Sequence, residues 1–235
     1  MNLILLFDPD FISTNRVRLG GRRFMHVRDI HRAHAGEALS VGVLNGQMGK
    51  GTITVMGDDA VEMDVRLEAE PPSALPLTLV MALPRPNVLK RTLVCAASLG
   101  IKRIILLNFF RVEKSLWNSS ALRPEAVREQ LILGLEQGKD TVLPRVDLRE
   151  RFKPFVEDEL PALAKGTLGL VAHPGTGTPP PQNVRGPVTL VIGPEGGLID
   201  YEAEKLTFLG FQMADLGPRI LRVEAVLPYL VGRIF

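Results

Sequence analysis

The 235-residue chain has a single cysteine, Cys95, so an internal disulfide is excluded and a reducing cytoplasm is the expected setting. No apolar run is long enough to span a bilayer. The opening MNLILLFDPDF carries an apolar hexamer, no basic residues, and then Asp8 and Asp10; it reads as a first strand rather than a leader or a membrane span. Neither G-x-G-x-x-G nor G-x-x-x-x-G-K-[ST] occurs, which removes the ordinary dinucleotide and P-loop explanations. One cysteine and four histidines offer no paired ligand spacing, so no metal is expected. The G-x-S-x-G elbow is missing as well. Net charge is only +2, so any affinity for a polyanion has to come from a local patch.

What the chain does have is punctuation. The stretch PPSALP at 71–76 favours extended backbone and divides two textures. Before it, residues 1–70 alternate short apolar runs with glycine turns, including the Asn45-Gly46 hairpin signal within 38–56. AVEMDVRLEA alternates apolar and charged residues as a half-buried strand does. A small β-barrel is the expected form. After the linker, strands at 77–83, 103–107, 167–172 and 188–192 alternate with helices at 87–100, 124–138, 201–210 and 224–235. A weaker helix at 154–164 is interrupted by Pro161. This order predicts an α/β domain over 77–235 with a mostly parallel sheet, its strands apolar on both faces.

In such a sheet, ligands bind beyond the carboxyl ends of the strands. Three loops qualify: His173-Pro174-Gly175, Gly193-Pro194-Glu195-Gly196-Gly197, and Leu216-Gly217-Pro218-Arg219-Ile220-Leu221. Any one alone reads as a tight turn, because glycine and proline dominate turns. Three at one edge read as a ligand rim, where glycine lets a ligand approach bare main chain. His173 taken alone has a structural reading, and Cys95 sits in an apolar helix run where a thiol is packed and inert. A separate signal lies in RVRLGGRRFMHVRDIHRAH, residues 16–34, which hold six arginines and one acid. A solvated charged face is one reading. A phosphate-contact surface through Arg16, Arg22, Arg23 and Arg32 is the other.

Together, IGPEGGLIDYE (192–202) and LGPRILRVEA (216–225) resemble the signature of the 16S ribosomal RNA uridine-N3 methyltransferases. The segment HVRDIHRAHAGEAL is similar to that family's N-terminal PUA-like barrel. LGIKRIILLNFFRVEKS matches its strand and basic loop, with Arg111 at the usual arginine, and LEQG matches its Glu-Gln helix motif. The resemblance implies a SPOUT-type α/β knot after a PUA-like barrel, and a homodimer acting on 16S rRNA of the small subunit. It implies S-adenosylmethionine as methyl donor, held by His173, Pro174, Gly193, Gly196, Gly197, Leu216, Gly217 and Leu221. Arg219 or Arg222 would steady the deprotonated base, Glu224 would orient an arginine or accept a proton, and Arg111 would contact RNA. The chain departs from the family pattern at Ser98, Asp140 and Ala225. Two alternatives stand beside this reading: a knot-fold enzyme with another RNA target, and a silent RNA-binding module for ribosome assembly.

Overall fold

The computed structural model describes residues 2–235. Its internal contacts divide the chain into two units. One comprises residues up to Ser73 together with Ile132–Leu143, and the other Ala74–Leu131 with Pro144–Phe235. The linker at 71–76 coincides with one crossing between units. The return of residues 132–143 to the first unit has no counterpart in the sequence reading.

The first unit is a six-stranded sheet of β1 (Ile4–Leu6), β2 (Phe11–Ser13), β3 (Arg16–Gly20), β4 (Ala38–Val43), β5 (Met48–Met56) and β6 (Ala60–Ala69), in the order β1-β4-β5-β6-β3-β2. β1 pairs with β4 in parallel and every other neighbour is antiparallel. The β4–β5 hairpin turns through Asn45, whose φ of +59° asparagine tolerates. Alternation places Val17, Leu19, Val41, Ile53, Val61 and Met63 inside. The basic stretch forms α1 (Gly21–Met25), continued by a wider-wound turn over His26–His31. Phe24 and Val27 anchor that segment in the core.

The second unit carries β7 (Leu75–Ala82), β8 (Ile101–Leu107), β9 (Arg145–Arg149), β10 (Leu168–Ala172), β11 (Val188–Ile192) and β12 (Gln212–Ala214), ordered β12-β10-β11-β7-β8-β9. All five adjacent pairs are parallel. β11 is buried along its whole length, which explains its unbroken apolar run; Thr189 inside it shares a hydrogen bond with the Thr167 hydroxyl at 2.9 Å. Gly169 is required by packing, since a Cβ there would lie 2.9 Å from the Phe211 ring. The helices are α2 (Pro86–Ser98), α3 (Pro124–Gly138), whose part from Ile132 on belongs to the first unit, α4 (Phe152–Pro154), α5 (Leu160–Leu163), α6 (Asp200–Phe208) and α7 (Val223–Ile234). Pro161 does not break the helix: residues 152–163 stay helical throughout, and a π-wound stretch over Phe155–Glu159 immediately precedes the turn that carries the proline. β9 escaped the sequence reading because RVDLR, at the sheet edge, is polar and only partly buried.

The chain leaves β11 and returns as β12 on the far side of β10. That crossing brings the loops after β10, β11 and β12 to one rim.

Candidate functional site

The three rim loops line one cavity of about 580 Å³, within the range of small-molecule sites. His173 and Pro174 follow β10; Gly193, Gly196 and Gly197 follow β11; Leu216, Arg219, Leu221, Arg222 and Glu224 follow β12. Of the residues expected to hold a cofactor, Gly217 alone is outside the lining. It takes a φ of +101° and donates its N–H to Asp215 Oδ1 at 2.9 Å. The remaining walls include Val88, Ile192, Leu198 and Val226.

Asp215 organises two of these loops. Its backbone N–H donates to the Thr178 carbonyl at 2.7 Å, and its Oδ2 accepts from the Gly177 N–H at 2.9 Å. These backbone donors hold its carboxyl below the usual aspartate range. The glycine- and proline-rich stretch 174–182, which reads as a bare loop in sequence, is therefore pinned beside the cavity.

The Gly193–Gly197 loop is fixed from its other side. The Arg111 guanidinium donates through Nη1 to the Gly196 carbonyl. Glu202, 2 % exposed, accepts from the Phe110 N–H at 2.7 Å and the Ile199 N–H at 3.1 Å. One buried carboxylate thus joins the loop bearing Arg111 to the start of α6. A Cβ on Gly193 would lie 2.9 Å from Leu198 Cδ2, so glycine permits the close fold of this loop.

Charge at the cavity is uneven: Arg85, Arg91, Arg219 and Arg222 line it with Glu195 and Glu224. Glu224 pairs with Arg91 of α2 at 3.2 Å, so the arginine it orients is neither Arg219 nor Arg222. Those two are exposed and, among the described residues, have no ion-pair partner. Sequence reasoning missed Arg85 and Arg91 because no motif marks them; they reach the cavity from the start of α2. Cys95, further along α2, is half-buried and its thiol is pushed up by burial, as an inert thiol requires.

In the first unit the arginine cluster is largely spent on the fold. Arg23 grips Asp10 through both terminal nitrogens, at 2.5 and 2.7 Å, and donates to the Leu5 carbonyl. Arg16 meets Glu62 at 3.1 Å and the Thr54 hydroxyl at 3.0 Å. Arg22 pairs at 2.8 Å with Glu136, which is 1 % exposed. Arg22 and Arg23 thus meet buried carboxylates and Arg16 a half-buried one, and a guanidinium so paired is less available to a phosphate. Arg32 is exposed at φ +50°. Burial pushes the Glu136 carboxyl up, with Arg22 pulling against it. Its helix end takes the Asn2 and Leu3 N–H groups on the Glu136 carbonyl, both at 3.0 Å. Asp140, 3 % exposed, accepts from the Val142 N–H at 2.9 Å and shapes the turn after α3.

Among the described residues no group of three His, Cys, Asp or Glu side chains is arranged to hold a metal ion, and no helix is long and apolar enough to cross a membrane. A family model described as an RNA methyltransferase domain matches residues 71–234. Ribosomal RNA small subunit methyltransferase E of Treponema pallidum is 30% identical over 228 residues, covering 94% of this chain and 86% of that protein. Its namesake from Mycobacterium tuberculosis is 24% identical over 221 residues, covering 91% and 84%. The crystal structure of the Neisseria gonorrhoeae namesake, bound to S-adenosyl methionine, has a TM-score of 0.72 at 21% identity, covering 98% of this chain and 94% of that one.

Proposed function

The chain belongs to the RNA methyltransferase family, in the group of ribosomal RNA small subunit methyltransferase E, and on that premise we propose that it methylates N3 of a uridine in 16S ribosomal RNA. The observation that carries this reading is the convergence of three loops, from three parallel strands, on one cavity. S-adenosylmethionine is the proposed donor; when bound it supplies a methyl group on a positively charged sulfur that needs no further activation.

The cavity suits that donor. Leu198, Leu216 and Leu221 give an apolar wall for a purine ring, and the Gly193–Gly197 main chain exposes polar groups for its edge. Glu195 supplies a carboxylate for a cation. His173 and Pro174 close the side pinned by Asp215. The acceptor presents an imide nitrogen whose lone pair is free only once its proton leaves. A cation beside it favours the anion. Arg219 or Arg222, both without an acidic partner among the described residues, fills that role. Glu224 keeps Arg91 at the cavity wall.

The same reading takes the crossing from β11 to β12 as a trefoil knot. Two hydrogen bonds between the 174–187 segment and the C-terminal part support it: Asp215 N–H to the Thr178 carbonyl, and Val184 N–H to the Ile234 carbonyl at 2.8 Å. It takes the first unit as a PUA-like RNA-binding barrel, with Arg32 as its available guanidinium, and the working form as a cytoplasmic homodimer. Ala225, Pro228, Tyr229 and Gly232 form one exposed stripe along α7, at the i, i+3, i+4 and i+7 spacing of a packing face.

Mass spectrometry of 16S rRNA methylated by the purified protein tests the proposal. One N3-methyluridine is expected; a methyl on a ribose hydroxyl or on tRNA alone would reject it.

A further inference from the structure

Beside the main cavity lies a second hollow of about 180 Å³, lined by Arg85, Arg111, Glu113, Leu116 and the Gly193–Gly196 loop with its Glu195. Gly193–Gly196, Arg85 and Val223 belong to both linings, so the two spaces abut along one loop. At about 180 Å³ against about 580 Å³ for the main cavity, the hollow is too small for the cofactor but suited to a single pyrimidine ring.

Its charges are ordered. The Glu113 carboxylate lies 3.7 Å from Arg85 Nη2, and Arg111 is held at the hollow by its bond to the Gly196 carbonyl. Arg85 and Glu113 are both about two-thirds exposed, so their pairing adds little to the fold and leaves both heads available. Two guanidinium groups and the Glu113 carboxylate bring donors and an acceptor to one hollow. The Watson–Crick edge of uracil presents the complement: O4 accepts, N3–H donates, O2 accepts. Cytosine has an acceptor at N3 and an amino donor at C4, so it sets a lone pair against the carboxylate and mismatches one arginine.

We infer that this hollow is the acceptor-base subsite, in which Glu113 accepts the uracil N3–H and takes its proton as the imide anion forms, Arg85 and Arg111 meet the flanking carbonyls, and Arg219 or Arg222 steadies the anion from the adjoining main cavity. A base lifted from its stack into a pocket of its own is what chemistry on a ring nitrogen requires. Sharing a wall with the main cavity sets acceptor and donor side by side. The inference deepens the proposed uridine activity and rests on it.

Saturation-transfer NMR with uridine, cytidine and adenosine 5′-monophosphates reads the hollow without turnover. Signal on the uracil protons at least fivefold above the cytosine and adenine signals is expected. Glu113→Ala, an exposed position, should lose most of it while S-adenosylhomocysteine affinity by calorimetry stays within threefold. Leu116→Trp, which fills the space, should do the same and lower RNA methylation about 100-fold. Equal signals from the three nucleotides, or wild-type uridine binding and methylation by Glu113→Ala, would overturn the subsite. If both variants lose S-adenosylhomocysteine instead, the hollow belongs to the cofactor cavity and the inference also falls. A wild-type protein that leaves uridine N3 of rRNA unmethylated refutes the broader activity separately.

Discussion

Arginine is plentiful in residues 16–34, and its fate there is decided residue by residue. Arg23 and Asp10 have side chains only 16% and 11% exposed, so removing one partner leaves an uncompensated buried charge. Arg23→Ala should lower unfolding stability by about 3–5 kcal/mol in urea titration. Arg32→Ala should leave stability within about 0.5 kcal/mol while reducing the salt slope of rRNA binding by about 1. The glycines of the rim make the opposite case. Gly193→Ala puts a methyl 2.9 Å from Leu198 Cδ2, so the Leu198 side chain on the cavity wall must shift. A fall of tenfold or more in S-adenosylmethionine affinity by calorimetry, with little change in melting temperature, is the expected result.

At the scale of elements, two carboxylates give opposite pH behaviour. Asp215 is held below the ordinary aspartate value by backbone donors. Its hold on loops 173–178 and 215–217 is complete above that value and is lost as pH falls through the lowered one. Cofactor affinity should therefore be flat from neutral pH to the ordinary carboxylate range and drop only in stronger acid, and Asp215→Ala should already show the drop at neutral pH. Glu136 is pushed up by burial, so the folded first unit binds a proton more readily than the unfolded chain. Stability of that unit should fall as pH rises from the ordinary glutamate value through the raised one; Glu136→Gln should remove this slope in thermal melts. The strands and helices around the rim were legible because buried parallel strands read as unbroken apolar runs, as in VTLVI. β9 was not, since an edge strand has no such signature. The rim loops announced themselves by glycine and proline spacing. Arg91 did not, because its place at the cavity depends on how α2 packs on α7.

For the whole molecule, the small net charge of +2 and the internal pairing of Arg16, Arg22 and Arg23 imply modest electrostatic binding. The salt dependence of rRNA affinity should correspond to only a few phosphate contacts. If the α7 stripe buries itself in a homodimer, Tyr229→Lys should shift the mass by light scattering from two chains to one. The Gly193–Gly196 segment is a party wall between the two spaces. A guest leaning on one face sets the contour met by a guest on the other, so donor and acceptor are expected to change each other's affinity by the same factor. Nucleotide affinity measured with and without S-adenosylhomocysteine reads that reciprocity directly.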